Sequence, residues 1–182
     1  MKTVYAYLSV LIFFSCSLVE KIRERDKDDY IYWSENVKLT WNDFKCKDEL
    51  KSKHGASSHI EIKIRLDLSD KNVDVIFVRN LSCKKKDAEY DLGLLKHEQY
   101  HFNIAELFAR KYRKIILEHP DTNDTEVFYK IHKDERQYQD LYDSETNHSL
   151  NREKQKQWEI KIDQELQKLQ KYSSDSLRGV IP

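Results

Sequence analysis

Residues Leu94 to Ile116 read LLKHEQYHFNIAELFARKYRKII, a stretch that joins an amphipathic helical pattern to the spelling His97-Glu98-Gln99-Tyr100-His101. Leu94, His97, His101, Ala105, Phe108, Tyr112 and Ile115 follow the i, i+3, i+4, i+7 spacing of one helix face. An α-helix turns about 100° per residue, so the two histidines leave that face one turn apart, where both imidazoles can reach one ion. Glu98 borders the face, and H-E-x-x-H on a helix is the signature of a zinc site with the Glu as general base. Without an ion, the core would bury two imidazoles that need other partners, which is costly.

Upstream of this helix the period changes from 3.6 to 2. Ile60, Ile62, Ile64, Leu66 and Leu68 alternate with His59, Glu61, Lys63, Arg65 and Asp67, the pattern of a half-buried strand. A turn at Ser69-Asp70-Lys71-Asn72 leads to a second strand, Val73 to Val78, and the pair reads as an antiparallel hairpin. Tyr30–Trp33 and Lys38–Trp41 read as two shorter strands joined by a turn, with Trp33 and Trp41 as core residues. Downstream, Asp87 caps the first helix, which runs to about His119 and stops before Pro120. A second helix is expected over Thr125 to Leu141. A polar loop, Tyr142 to His148, then leads to Ser149 as cap of a third helix, Leu150 to Tyr172. The expected fold is α+β, one domain over residues 30–172 in which a small antiparallel sheet from the N-terminal half packs on three long helices. Residues 173–182 form a loose tail.

In the 182-residue chain, 32 Lys and Arg balance 32 Asp and Glu, so no global field favours nucleic acid. Met1 to Ser17, MKTVYAYLSVLIFFSCS, has a basic start, an apolar run too short for a bilayer and small residues after it, which reads as a secretory signal. Cys16 is either the acylated first residue of a lipoprotein or part of a leader cut after Ser17. The expected location is accordingly exported: periplasmic, anchored to the outer membrane, or secreted, with membrane contact only through a lipid at Cys16. Residues 18–29 are a charged tether. Export changes the reading of Cys46 and Cys83, which flank the predicted sheet and would be joined by a disulfide.

A catalytic zinc takes three protein ligands and a water, so the helix needs a third from elsewhere. Glu106 lies about 900° of rotation past His97, on the opposite side, and His119 lies about 27 Å along the axis from His101. The place of a third His six residues past His101 is held by Leu107. His54, His59, His132, His148 and several carboxylates, Asp143 and Glu145 among them, remain. His148 is favoured because it sits in a turn-forming loop beside acids and Tyr142. Tyr142 is also the nearest candidate in sequence to stabilise an oxyanion, against a plain packing role.

Three blocks, Trp33-Ser34-Glu35-Asn36 with Leu39-Thr40-Trp41-Asn42-Asp43-Phe44, His97 through Glu106, and Glu145-Thr146-Asn147-His148 leading to Trp158, resemble the bacterial family called domain of unknown function 922, described as predicted secreted zinc-dependent proteases. The resemblance implies a zincin-like hydrolase that binds Zn2+ through His97 and His101, uses Glu98 as base and acts on a peptide or protein substrate, with His148 in a family-typical block. That family commonly has Gly where Tyr100 and Ser149 stand here. By analogy with zincins, the strand from His59 to Leu68 would offer its edge to an extended peptide. A non-catalytic zinc-binding envelope protein and a zinc amidase acting on cell-wall peptides are the competing expectations.

Overall fold

The computed structural model describes residues 29–46, 55–64 and 73–178. The expected leader with Cys16, the tether up to residue 28, His54, and the turn at residues 69–72 with the strand end at 65–68 lie outside the described residues. Among the described residues five short strands precede four helices: β1 (Tyr30–Tyr32), β2 (Ala56–Ser57), β3 (Ile60–Ile64), β4 (Val73–Val78), β5 (Cys83–Lys84), α1 (Leu92–Glu118), α2 (Asp124–Thr146), α3 (Arg152–Lys168) and α4 (Ser174–Arg178). The architecture is α+β, with a small antiparallel sheet. None of these helices is long and apolar enough to cross a membrane.

The alternation in β3 fixes its register, because a slip of one residue would turn every Ile to the other face. Ile60 pairs with Phe77, Ile62 with Val75 and Ile64 with Val73, antiparallel as the hairpin pattern predicts. β1 pairs with the other edge of β4, so the order is β1-β4-β3, and all six residues of β4 are buried. Phe77, fully buried, contributes about 1.5–3 kcal/mol by leaving water. β2 and β5 form a separate two-stranded ribbon, with Ser57 opposite Cys83. Cys83 is disulfide-bonded to Cys46, their Cα atoms 5.0 Å apart.

Lys38–Trp41 is not a strand. The backbone N–H of Leu39 donates to the Gln99 side chain (2.7 Å), and both N–H and Oγ1 of Thr40 donate to Asp43 Oδ2 (2.7 and 2.8 Å). This capping box starts a single 3-10 turn, Trp41–Asp43. A β-like composition is overridden here by one local carboxylate.

α1 is capped by Asp91, whose side chain accepts from Leu94 N (2.9 Å), rather than by Asp87, which lies in a 3-10 turn, Lys86–Tyr90. Arg152 at the start of α3 pairs with Asp91 at 2.6 and 2.7 Å, and its guanidinium lies so close over Gly93 that a Cβ there would stand 1.8 Å from Nη1. α1 packs on β3 and β4 and also against α2 and α3, which is why residues are buried around most of its circumference. Away from the histidines, fully buried Glu106 binds Arg110 and Arg113, each at 3.0 Å. The two guanidiniums reach on to the carbonyls of Leu166, Tyr172 and Val73, tying α1 to α3, the C-terminal segment and β4. Burying these charges is tolerable because carboxylate and carbonyl oxygens surround them.

The second helix runs past Leu141 to Thr146, so Tyr142 to Thr146 are helical rather than a loop. Tyr142 is fully buried against Trp158, ring centroids 5.7 Å apart, and Thr146 Oγ1 donates to the Tyr142 carbonyl (2.7 Å). Packing here outweighs a turn-like composition. α3 starts after Asn151, not at Ser149, because Asn151 Oδ1 accepts from Lys154 N (3.1 Å). Residues 173–178, expected in the tail, are ordered by buried Ser173 and Ser174, and the Ser173 carbonyl accepts from Leu177 N (3.1 Å).

Candidate metal centre

His97 and His101 stand one turn apart on α1 with their rings at 4.6 Å and nearly perpendicular (89°). Their Nε2 atoms are 3.1 Å apart, and both face Asp143 Oδ1, at 2.9 Å from His97 and 3.0 Å from His101. Asp143 comes from the last turn of α2, which the buried Tyr142 presses against α1. The three side chains are the group among the described residues that could hold a metal ion. Ligand atoms about 2.0 to 2.1 Å from a tetrahedral ion stand about 3.3 Å from one another. The observed triangle therefore needs to open by only a few tenths of an ångström to take such an ion on its face.

The surroundings settle how one histidine is protonated. Gln139 Nε2 donates to the His101 carbonyl (3.0 Å) and to Glu135 Oε1 (2.8 Å), which fixes the amide orientation. Its Oε1 must then accept, and it does so from His101 Nδ1 at 2.6 Å. With Nδ1 carrying that proton, the Nε2 lone pair of a neutral His101 points at the shared corner, the arrangement that metal-bound histidines use. His97 is oriented differently: Tyr142 stacks on its ring at 4.6 Å, and its Nδ1 is buried with no hydrogen-bond partner among the described residues. Tyr142 thus backs a histidine from inside the core and offers no face to a substrate.

His148 Nδ1 stands 3.4 Å from Asp143 Oδ1, with the side chain 34% exposed. It lies beside the three-atom cluster, whose third corner is Asp143, one of the alternatives left open by sequence. The segment that carries it has positive φ at Asn147 (47°), His148 (48°) and Ser149 (75°), with no glycine. Such left-handed residues are strained, by about 1–2 kcal/mol each for a side chain other than Asn. At Ser149 the backbone has the geometry that favours a glycine. The other described histidines lie elsewhere: His59 is exposed beside Glu61 (3.2 Å), His132 packs on Phe128 (4.8 Å between centroids), and His119 ends α1. Glu145 accepts from Trp158 Nε1 (2.9 Å).

Glu98 is buried, and its Oε2 accepts a 2.5 Å hydrogen bond from Ser58 Oγ. Burial pushes its carboxyl above the usual carboxylate range, against the pull of the His101 charge and the Ser58 hydroxyl. The centre opens into a cavity of about 410 Å3 between Ser57, Ser58 and Ile60 on one wall and Glu135, Arg136 and Asp140 of α2 on the other. Ile60 begins β3, whose second edge has no strand partner among the described residues. Sequence reasoning missed Ser58 and Gln139. Gln139 and Asp143 are four apart and share a helix face, a signal that only a helix continued past Leu141 makes visible.

Burial lowers the pKa of His97 to about 4, although its bond to Asp143 opposes the shift. His101 is buried too, but its hydrogen bond to Asp143 and the charges of Glu98 and Asp143 outweigh that and raise it to about 9. Burial works against the Asp143 carboxylate, yet the bonds from His101 and His97 hold it well below its ordinary range. At neutral pH the metal-free centre therefore holds one proton on His101, which a metal must expel to reach Nε2. Zinc titrated calorimetrically at pH 7 in buffers of different ionisation enthalpy should release about one proton per ion. Apparent affinity should rise about tenfold per pH unit between 6 and 8, since proton and metal compete for one atom and the proton is lost only toward pH 9. Zero release would remove His101 from the ligand set.

No family model, curated protein or solved structure matches the chain.

Proposed function

We propose that this chain is an exported zinc-dependent metallopeptidase with His97, His101 and Asp143 as metal ligands and Glu98 as general base. The observation that carries the reading is the triangle of two imidazole nitrogens and one carboxylate oxygen, with a second, buried carboxylate beside it and outside it. Nitrogen and oxygen donors in this number suit zinc, and three protein ligands leave a position for water, whereas structural zinc sites use four.

Bound there, zinc supplies Lewis acidity, bringing the pKa of a water toward about 7 and polarising a carbonyl. Glu98 takes the proton of the attacking water and passes it to the leaving amine. Ser58 keeps one carboxylate oxygen fixed, so the other is the one that meets the water. His101, its Nδ1–H held by Gln139, and His97, held by the Tyr142 ring, keep their Nε2 atoms on the common corner. A peptide laid along the outer edge of β3 would pass Ile60 and Ser58 and bring its scissile carbonyl over the centre. Export through the Met1–Ser17 leader, with or without a lipid on Cys16, accords with a disulfide between Cys46 and Cys83.

The test is metal analysis of the mature protein together with a cleavage screen covering proteins, peptides and cell-wall peptides. One zinc per chain and hydrolysis that a chelator stops and zinc restores is the expected result. A chain that binds zinc stoichiometrically and cleaves nothing would be a binding protein, and one that binds no zinc would end the metal reading.

A further inference from the structure

Resting on that metallopeptidase reading, we propose that Ser58 is a positioning residue that holds the Glu98 carboxylate off the metal and so keeps the centre open for catalysis. A carboxylate that follows a ligand histidine in the chain, buried beside a dication, is itself a competent zinc ligand. If Glu98 turned onto the ion, the centre would have four protein ligands, no place for water and no base. The Glu98 carboxylate is not part of the metal-competent cluster of His97, His101 and Asp143. What it has instead is the 2.5 Å bond from Ser58 Oγ, a contact between residues 40 apart in the chain. A hydroxyl bonded to an ionised oxygen makes a stronger hydrogen bond than a neutral pair, so it can compete for that carboxylate.

The backbone around Ser58 is pinned on both sides, which makes the hydroxyl a fixed donor. Ser57, before it, pairs with Cys83, and Cys83 is tied to Cys46 by the disulfide. After it, His59 N donates to Ser82 Oγ (2.9 Å), and the His59 carbonyl accepts from Val78 N (2.9 Å). Ser82 is itself fully buried, its hydroxyl donating to the Val78 carbonyl (2.8 Å). Gly55, three residues earlier, lets this segment approach α1, since a Cβ there would stand 2.6 Å from Leu94 Cδ2. The wall that lines the cleft is thereby braced from the sheet and from the disulfide, and it meets Glu98 through both the hydroxyl and the backbone N–H of Ser58.

The experiment uses the full mature chain as wild type, Ser58→Ala, Ser58→Thr, and Ser58→Ala combined with Glu98→Gln. Zinc affinity is measured by competition with a chromophoric chelator, the coordination number by the visible spectrum of the Co2+ form, and kcat and KM on a cleaved peptide. Ser58→Ala should bind zinc about tenfold more tightly, roughly the worth of one hydrogen bond to a charged group. Its Co2+ bands should change as a carboxylate replaces water, and kcat should fall with KM unchanged. Ser58→Thr, which keeps the hydroxyl, should restore all three. In the Glu98→Gln background the gain in affinity should vanish, the non-additivity expected of two groups acting as a unit. Unchanged or weaker zinc binding and an unchanged Co2+ spectrum in Ser58→Ala, with wild-type zinc bound, would overturn the proposal and leave the metallopeptidase reading standing. A wild-type chain that binds no zinc overturns both.

Discussion

Glu98→Gln is expected to reduce hydrolysis by about two to four orders of magnitude, the usual share of a general base, while the protein keeps its full complement of zinc. The substitution is close to isosteric, so the buried site is not emptied. The amide oxygen of Gln can still accept from Ser58 Oγ, which leaves the cleft wall in place. On the metallopeptidase reading, what is lost is the ability to take a proton from water and return it to the leaving amine. Because Glu98 stands outside the His97, His101 and Asp143 cluster, metal content should not follow activity down. The combination separates this residue from the ligands, since any ligand variant loses metal and rate together. Paired measurements of kcat and bound zinc check it. Wild-type turnover in Glu98→Gln would assign the proton transfer to another group, and loss of zinc would make Glu98 a ligand.

The same contrast shows which parts of the centre could be read from the chain. His97, Glu98 and His101 belong to one helix, so 3.6-residue periodicity places them without knowledge of anything else, and in the structure both imidazoles turn to one point. The β3 and β4 pairing was legible for a similar reason, because strict alternation allows one register. The third corner was harder. Asp143 lies in YDSETNH, a run whose composition says turn, and the expected helix ended at Leu141. The chain stays helical because Tyr142 is buried against His97 and Trp158, contacts made by residues 45 and 16 positions away in sequence. Once the helix is extended, Asp143 follows Gln139 by four residues and the two reach the two nitrogens of His101. Ser58 left no trace in any local pattern. Its role depends on how a segment after Gly55 is drawn to α1, which is a property of the packed sheet.

Asp143→Ala should weaken zinc binding by a hundredfold or more and remove activity with it. Structural zinc sites gain about 10–16 kcal/mol from four ligands, so one ligand is worth roughly 3 kcal/mol, or about two orders of magnitude in affinity. Asp143 also supplies the negative charge that holds a proton on His101 in the metal-free protein, so the pKa of His101 should fall from about 9 in the variant. The proton released on zinc binding at pH 7 should then diminish, a result that simple unfolding would not give. His148→Ala is the matched comparison. His148 sits beside Asp143 at 3.4 Å and is a third exposed, so its loss removes a neighbour of a ligand, worth about tenfold in affinity. His132→Ala, about three turns back along α2 from Asp143 and packed against Phe128, should change neither quantity. Equal losses of zinc in the Asp143 and His148 variants would make His148 a ligand in its own right, completing a centre of four protein ligands in which water must displace one of them before any substrate can be attacked. A loss confined to Asp143 leaves the fourth position open, and the strained turn at 147–149 then serves to bring an imidazole to the rim of the cleft, where it can meet what the centre binds.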